Sequence, residues 1–146
     1  MSREAALEEL YQGLSTLVRR ARDVGDDLHP GLSLVAYTLL AQIDVTPQAR
    51  AADLAAHFGL DKSTVSRQLE QLISAGLLRR EGERPGRRGC GLALTDAGQQ
   101  HLTVAAQAVR CQLAEWLTDW DDRDLAAFGH LVSRFNQSTS RAYLAG

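Results

Sequence analysis

The sequence predicts a mainly α-helical protein with one small β-hairpin, on three observations. Six stretches of the chain repeat apolar residues at the three- and four-residue spacing of an amphipathic helix. Two short segments, residues 77–80 with Leu77 and Leu78 and residues 91–94 with Leu92 and Leu94, flank a stretch rich in glycine and arginine, as the strands of a hairpin do. The 146 residues are 45% hydrophobic, which suffices for one compact domain or a small domain with helical extensions.

The first two predicted helices precede the most informative part of the chain. Residues 5–24 form a long amphipathic helix that ends near Gly25, before a loop over residues 26–31. Ser33 can cap a second helix, which stops before Pro47 because proline disfavours the helical conformation in its predecessor. The first helix carries its apolar stripe on Leu7, Leu10, Leu14, Leu17, Val18 and Ala21.

Two short helices separated by a glycine turn follow. Residues 51–58 make about two helical turns, and Gly59 can adopt the left-handed conformation that closes them. Asp61 is a good cap for the next helix, since its carboxylate accepts from the free amides of the first turn. That helix begins at Lys62, runs to about residue 75 and is terminated by Gly76.

The spacing of these residues predicts a helix-turn-helix. Such a unit needs a small residue where its helices cross, a glycine in the turn and an apolar residue packing back; Ala55, Gly59 and Val65 fill these places. Further apolar contacts are expected from Leu54, Phe58, Leu60 and Leu69. The alternative is an ordinary helix hairpin with a glycine turn.

The outward face of the second helix has the composition of a DNA-reading surface. Arginine can pair with guanine, and glutamine with adenine, while hydroxyl groups serve either bases or phosphates. The predicted contacts are Lys62, Ser63, Thr64, Ser66, Arg67 and Gln68, clustered where such helices enter the major groove. The alternative is a solvated helix face, because these residue types are common on any helix surface.

The hairpin after this helix is predicted to be a second DNA-contacting element. Its tip carries Arg84, Arg87 and Arg88, whose mutual repulsion is relieved when an anionic partner such as a narrow minor groove lies beside them. Residues 50–95 hold eight Lys or Arg and five Asp or Glu, so this segment is +3 within a chain of net charge −2. The alternative is a flexible solvated loop.

The remaining helices are predicted to mediate dimerisation. Thr95 or Asp96 caps a long fifth helix, and Asp121 and Asp122 can cap a sixth, each with an apolar stripe that the small central unit cannot cover. We therefore expect three parts: an N-terminal dimerisation helix and loop (1–30), a winged helix-turn-helix domain (31–95) and C-terminal dimerisation helices (96–146). The alternative is an elaborated monomeric helical core.

Residues 54–98 resemble the MarR family of bacterial transcriptional regulators. The similarity lies in the block DLAAHFGLDKSTVSRQLEQLISAGLLRR, the arginine-rich wing and the run LALTDAG. Arg87 and Arg88 match the wing arginines of the family, whereas Gly86 stands where the family has an aspartate that braces the wing. This departure leaves two alternatives open: the wing tip is more mobile than in the family, or Glu83 takes the role of the aspartate. The resemblance implies a homodimeric repressor that binds a pseudo-palindromic DNA operator and is released by a small aromatic or anionic ligand.

The family resemblance also implies a ligand pocket between the dimerisation helices and the winged lobe. Tyr11, His29, Tyr37 and Trp116 are candidate lining residues by their chemical type alone, and Tyr37 and Trp116 are equally compatible with ordinary core positions. Neither a cofactor nor a metal is expected.

The two cysteines and four histidines give no clear chemical signal. Cys90 and Cys111 form no metal-binding motif, and both an oxidant-sensing and an incidental packing role are open. The histidines are scattered singly, at His29, His57, His101 and His130.

Several other classes of protein are disfavoured. The chain has neither a run of 18 apolar residues nor a secretory signal, so a cytoplasmic protein without a membrane span is expected. It lacks a catalytic triad order, a glycine-rich phosphate loop and paired carboxylates, which argues against an enzyme. A winged module that binds another protein remains an alternative, but it would not need the basic tip and the polar helix face.

Overall fold

The structure is a computed structural model. It describes the backbone of residues 1–28, 31–82 and 90–144, and the side chains of residues 1–20, 31–82 and 90–139. In chain order the elements are α1 (Arg3–Leu28), α2 (Leu34–Val45), α3 (Ala51–Phe58), α4 (Lys62–Ser74), β1 (Leu78–Glu81), β2 (Gly91–Leu94), α5 (Asp96–Trp116) and α6 (Asp122–Leu144). This is the predicted mainly helical fold with a two-stranded hairpin. No helix among the described residues is long and apolar enough to cross a bilayer.

One hydrophobic core holds α2, α3, α4, the hairpin and the first half of α5 together, and we call this unit the winged lobe (residues 32–105). Leu39, Leu40, Val65 and Ala105 have no exposed surface. The other buried apolar residues of the core are Leu32, Ala36, Ile43, Ala49, Leu54, Ala55, Leu69, Leu72, Leu77, Leu78, Leu92 and Leu102.

The predicted caps define the ends of the lobe helices. The Ser33 hydroxyl accepts from the amide of Ala36 at 3.1 Å at the start of α2. Gly59 closes α3 at a φ of 61°, in the left-handed region that glycine adopts without a steric penalty. Gly76 at a φ of 74° follows α4. The predicted ends of these helices are therefore confirmed at Ser33, Gly59 and Gly76.

The hairpin is fastened to the lobe at its base. Leu78 of β1 pairs with Leu94 of β2, and the register continues to Glu81 opposite Gly91. An isolated bridge between Ala49 and Leu92 joins β2 to the segment before α3. The hairpin therefore projects from a fixed point beside α4.

The TDAG sequence at the start of α5 packs against the segment that precedes β1. The Thr95 hydroxyl donates to the carbonyl of Gly76 at 2.5 Å and accepts from the amide of Gly98 at 3.0 Å. A Cβ on Gly98 would lie 2.0 Å from the carbonyl oxygen of Leu77, so any larger residue collides with the backbone there. Close approach of two backbones explains why glycine stands at this position.

The helices outside the lobe are largely uncovered, and we call α1, the second half of α5 and α6 the helical arms. Among residues 1–20 only Leu14 and Thr16 are half-buried, and all side chains from Asp121 to Ser138 are exposed. The exposed side chains of the arms include large apolar ones, namely Leu7, Leu10, Leu17, Val18, Leu113, Trp116, Leu125, Phe128, Leu131, Val132 and Phe135. The Asp121 carboxylate caps α6, accepting from the amide of Asp124 at 2.8 Å.

One sequence-based expectation about the helices was wrong. The first helix does not end near Gly25 but continues to Leu28, because a single glycine weakens a helix by only about 1 kcal/mol and does not terminate it. Leu60, predicted to supply an apolar contact, is 37% exposed and lines a shallow groove together with Phe58 and Leu39.

Candidate nucleic-acid interface

The outward face of α4 is built by the burial of its other face. Val65, Leu69 and Leu72 are buried against the lobe core, which fixes the rotation of the helix about its axis. This rotation exposes Lys62, Ser63, Ser66 and Arg67, while Thr64 and Gln68 are half-buried at one edge of the face. The six residues predicted to contact DNA thus lie along one side of a single helix, with four of them fully accessible.

The first turn of α4 is organised around the Asp61 carboxylate. It accepts from the backbone amides of Ser63 at 3.0 Å and Thr64 at 2.9 Å, which is the predicted cap. It also accepts from both side-chain hydroxyls, Ser63 at 2.9 and 3.0 Å and Thr64 at 2.5 Å. The sequence pattern predicted the amide contacts but not those of the hydroxyl groups.

Hydrogen bonding keeps Asp61 ionised. The Thr64 hydroxyl, followed by the Ser63 amide, stabilises the charged carboxylate and lowers its pKa well below the ordinary value of 3.8. The capping contribution to stability is therefore complete above pH 3.8 and is lost only as the pH falls below that value. Throughout the neutral range, the N-terminus of α4 carries a full negative charge beside Lys62.

An ion pair that the sequence reasoning missed connects α4 to the hairpin. The Arg80 guanidinium of β1 donates to the Glu70 carboxylate of α4, on the side of the helix that also carries Ser66 and Arg67. Both side chains are about half-exposed, so the pair contributes little to stability by itself. On β1, Arg79 pairs with Glu81 at 3.0 Å. Only the hairpin register, which places Arg80 opposite α4, could have indicated the first pair.

The predicted wing contacts Arg84, Arg87 and Arg88 lie outside the described residues, as do Glu83 and Gly86. The structure describes the base of the hairpin from which this segment extends, where Glu81 faces Gly91. A role for the tip in DNA binding therefore stays a prediction.

The four candidate ligand residues are not brought to one described cavity. Tyr11 on α1 is 64% exposed and Trp116 near the end of α5 is 51% exposed. Tyr37 is half-buried and packs against the lobe core, and His29 lies outside the described residues. Their predicted role in ligand binding stays a prediction.

The described part of the chain contains a cleft and two grooves, which are lined by residues other than the four ligand candidates. A cleft of about 100 Å³ between α4 and the hairpin is lined by Ala51, Ser66, Leu69, Glu70, Ile73, Arg80, Cys90 and Leu92. A shallow apolar groove of about 210 Å³ lies beside the helix-turn-helix, lined by Leu34, Val35, Thr38, Leu39, Phe58 and Leu60. A larger, open groove on the arms is lined by Asp119, Trp120, Asp124, Ala127, Phe128 and Leu131.

The cysteines and histidines stay separate within the described part of the chain. Cys90 is half-buried in the cleft beside the hairpin, and Cys111 is exposed on α5. His57 stacks edge-on against Phe58 with ring centroids 4.7 Å apart. Three or more metal-ligating side chains do not come together anywhere among the described residues.

Comparison with known proteins agrees with this geometry. Residues 31–89, which include the whole helix-turn-helix, match the family model described as MarR family. The uncharacterized HTH-type transcriptional regulator YxaD of Bacillus subtilis (strain 168) is 30% identical over 140 residues, covering 94% of this chain and 98% of the relative.

Solved structures show the same fold over nearly the whole chain. A MarR protein from Peptoclostridium difficile superposes with a TM-score of 0.79 at 17% identity, over 93% of this chain and 90% of that one. A MarR-family transcriptional regulator from Rhodococcus sp. RHA1 gives 0.73 at 20% identity, over 93% and 96%. The similarity extends beyond the winged lobe into the helical arms.

Proposed function

Because this chain belongs to the MarR family of transcriptional regulators, we propose that it acts as a homodimeric repressor of transcription. In this proposal two winged lobes bind the two halves of a pseudo-palindromic DNA operator, and a small aromatic or anionic ligand releases them. Residues 31–95 provide the DNA-binding domain, and residues 1–30 and 96–146 provide the dimerisation helices.

The observation that carries the proposal is the outward face of α4. Arg67 and Lys62 supply cationic donors, and Ser63 and Ser66 supply hydroxyl groups, all exposed and all held by a helix whose opposite face is buried. Such a helix fits the width of the major groove of B-DNA, where side chains distinguish the base pairs by their donors and acceptors. Arg84, Arg87 and Arg88 are proposed to contact the neighbouring minor groove.

The exposed apolar stripes of the arms support the dimer. On α6 they recur at Leu125, Phe128, Val132 and Phe135, spacings of three and four that place them on one helix face. An exposed apolar face of this size favours burial against another protein surface. A second copy offers a matching stripe, and two-fold symmetry then presents two α4 helices to successive grooves.

Ligand release is proposed to act through Tyr11, His29, Tyr37 and Trp116 as the candidate contacts of the ligand. A thermal-shift screen of small aromatic carboxylic acids tests it, since a ligand that binds the folded state raises the melting temperature. A ligand that raises the melting temperature of the free protein and lowers its affinity for DNA supports release, and one that leaves DNA affinity unchanged contradicts it.

DNA binding itself is tested by selecting duplexes from a random-sequence library with the full-length chain, then titrating salt in a fluorescence-anisotropy assay. We expect a preferred duplex with two related half-sites, and an affinity that falls linearly with salt on logarithmic axes. A protein-binding module would enrich no sequence and show no steep slope.

Arg88→Ala tests the wing within the same assay. Loss of one phosphate or minor-groove cation is expected to lower the affinity for all duplexes and to reduce the salt slope by about 1. Arg110→Ala, on the exposed surface of α5 away from the hairpin, serves as a charge-matched control. If Arg88→Ala leaves the slope unchanged, the hairpin tip is a solvated loop.

A further inference from the structure

We propose that Ser63 and Thr64 read exocyclic amino groups, adenine N6 or cytosine N4, because both hydroxyl groups donate their hydrogen bonds to the Asp61 carboxylate. The inference rests on the proposed DNA-binding function and deepens it, by assigning a hydrogen-bond polarity to the first turn of α4. Composition alone left these hydroxyl groups able to serve either bases or phosphates.

The polarity follows from the contacts of the Asp61 side chain. A hydroxyl group has one proton to donate and two lone pairs that accept. The Ser63 proton is directed at the carboxylate over 2.9 to 3.0 Å, and the Thr64 proton over 2.5 Å. Each hydroxyl oxygen then has only its lone pairs available to a ligand. Both side chains therefore act as hydrogen-bond acceptors only.

Few groups in the major groove can donate a hydrogen bond to these hydroxyl oxygens. Phosphate oxygens, guanine O6 and N7, adenine N7 and thymine O4 are themselves acceptors and are excluded. The donors are the amino groups of adenine and cytosine. The carboxylate charge adds to this selection, since it opposes the positive end of the helix dipole and disfavours a phosphate at the same place.

The charge of Asp61 persists under all conditions in which DNA binding is measured. Its pKa is lowered by the same hydroxyl and amide donors, and ionisation of the carboxylate in turn keeps the two hydroxyl protons directed toward it. Arg67, one turn further along the exposed face, carries donors only. The helix therefore presents the acceptors of Ser63 and Thr64 between the donors of Lys62 and Arg67.

The test combines base analogues with side-chain variants on a duplex selected by the wild-type chain from a random library. Each adenine in a half-site is replaced singly by purine, and each cytosine by pyrimidin-2-one, which removes the amino group. In parallel, each purine is replaced by its 7-deaza analogue, which removes the N7 acceptor. The protein variants are Ser63→Ala and Thr64→Val, with Thr64→Ser as the control that keeps the hydroxyl; the Asp61 cap on the amides remains in all three.

We expect removal of one particular amino group to weaken wild-type binding about 3- to 10-fold, the range of a single hydrogen bond. Removal of the same amino group should not lower the DNA affinity of Thr64→Val or Ser63→Ala any further. The Thr64→Ser control should lose as much affinity as the wild type. The 7-deaza losses should be equal in all proteins, and the salt slope of the variants should match that of the wild type.

Three outcomes overturn the inference while leaving DNA binding intact. In the first, removing the amino group and removing the side chain lower the DNA affinity independently of each other. In the second, the effect of the side-chain variant depends on purine N7 and not on an amino group. In the third, either variant has a reduced salt slope. If the wild-type chain enriches no duplex at all, the proposed function itself fails, and this assignment fails with it.

Discussion

The winged lobe buries most of its large apolar side chains, whereas the helical arms expose most of theirs. In the lobe, Leu39, Leu40 and Val65 have no exposed surface, whereas Leu7 and Leu131 in the arms are more than half exposed. Both regions have regular helices with an amphipathic pattern. The difference indicates that the lobe folds against itself, and it supports the proposal that the arms pack against a second copy.

Helix α5 belongs to both regions and joins them. Its first half is buried at Leu102 and Ala105, and its second half exposes Leu113 and Trp116. The division between buried and exposed apolar residues therefore falls within one continuous helix of 21 residues. Substitutions on either side of this division should therefore separate stability from assembly.

Phe135→Asp should have the largest effect, and it tests the arms. A carboxylate in the apolar stripe of α6 would have to be desolvated in the dimer, once per copy, so we expect dimerisation to weaken by at least about 4 kcal/mol. Analytical ultracentrifugation measures the shift to monomer. Gln137→Asp adds the same charge on the opposite face of α6 and should leave the dimer intact; a dimeric Phe135→Asp protein would contradict the interface.

Gly98→Ala should have the next largest effect, and it tests the lobe. The added Cβ meets the backbone of Leu77, which cannot move without displacing β1, so we expect a loss of about 2–3 kcal/mol in the free energy of unfolding. Urea denaturation at several protein concentrations measures it. Gly129→Ala on α6, where nothing lies within 4 Å of the added carbon, is the control. Equal behaviour of the two variants would refute the close contact.

Arg67→Ala should change recognition without changing stability. Loss of one base contact is expected to cost about 1–3 kcal/mol of binding free energy and to relax selectivity at one position in each half-site. Repeating the duplex selection with the variant shows which position becomes degenerate. Uniform loss across all sequences would assign Arg67 to a phosphate instead.

Glu70→Gln should have the smallest effect. The exposed pair with Arg80 contributes at most about 1 kcal/mol to folding, so the melting temperature should hardly change. Operator affinity should change more than stability, because the pair orients β1 relative to α4. Arg79→Gln, which removes the neighbouring pair with Glu81, is the control. If both variants bind DNA like the wild type, the pair has no orienting role.

The sequence predicted features that depend on local chemistry. Ser33, Gly59 and Asp61 were identifiable because capping and left-handed turns are decided by a residue and its immediate neighbours. The extent of α1 was missed because a lone glycine is only a weak stop signal.

Features that depend on contacts distant in sequence were not predictable in the same way. Glu70 and Arg80 meet only after the hairpin folds back, and Gly98 is explained only by the backbone of Leu77 beside it. The hydroxyl contacts to Asp61 are local, but they depend on side-chain rotamers, which a residue pattern does not specify. The face of α4 was predicted because helical periodicity and the buried stripe together determine it.

Methylation protection of guanine N7 on the selected operator tests the central claim most directly, because this atom lies in the major groove. A two-fold pair of α4 helices predicts two protected clusters whose centres are about 10–10.5 base pairs apart, or a multiple of that spacing. Protection confined to a single cluster, or no protection at protein concentrations that saturate the duplex, would contradict it.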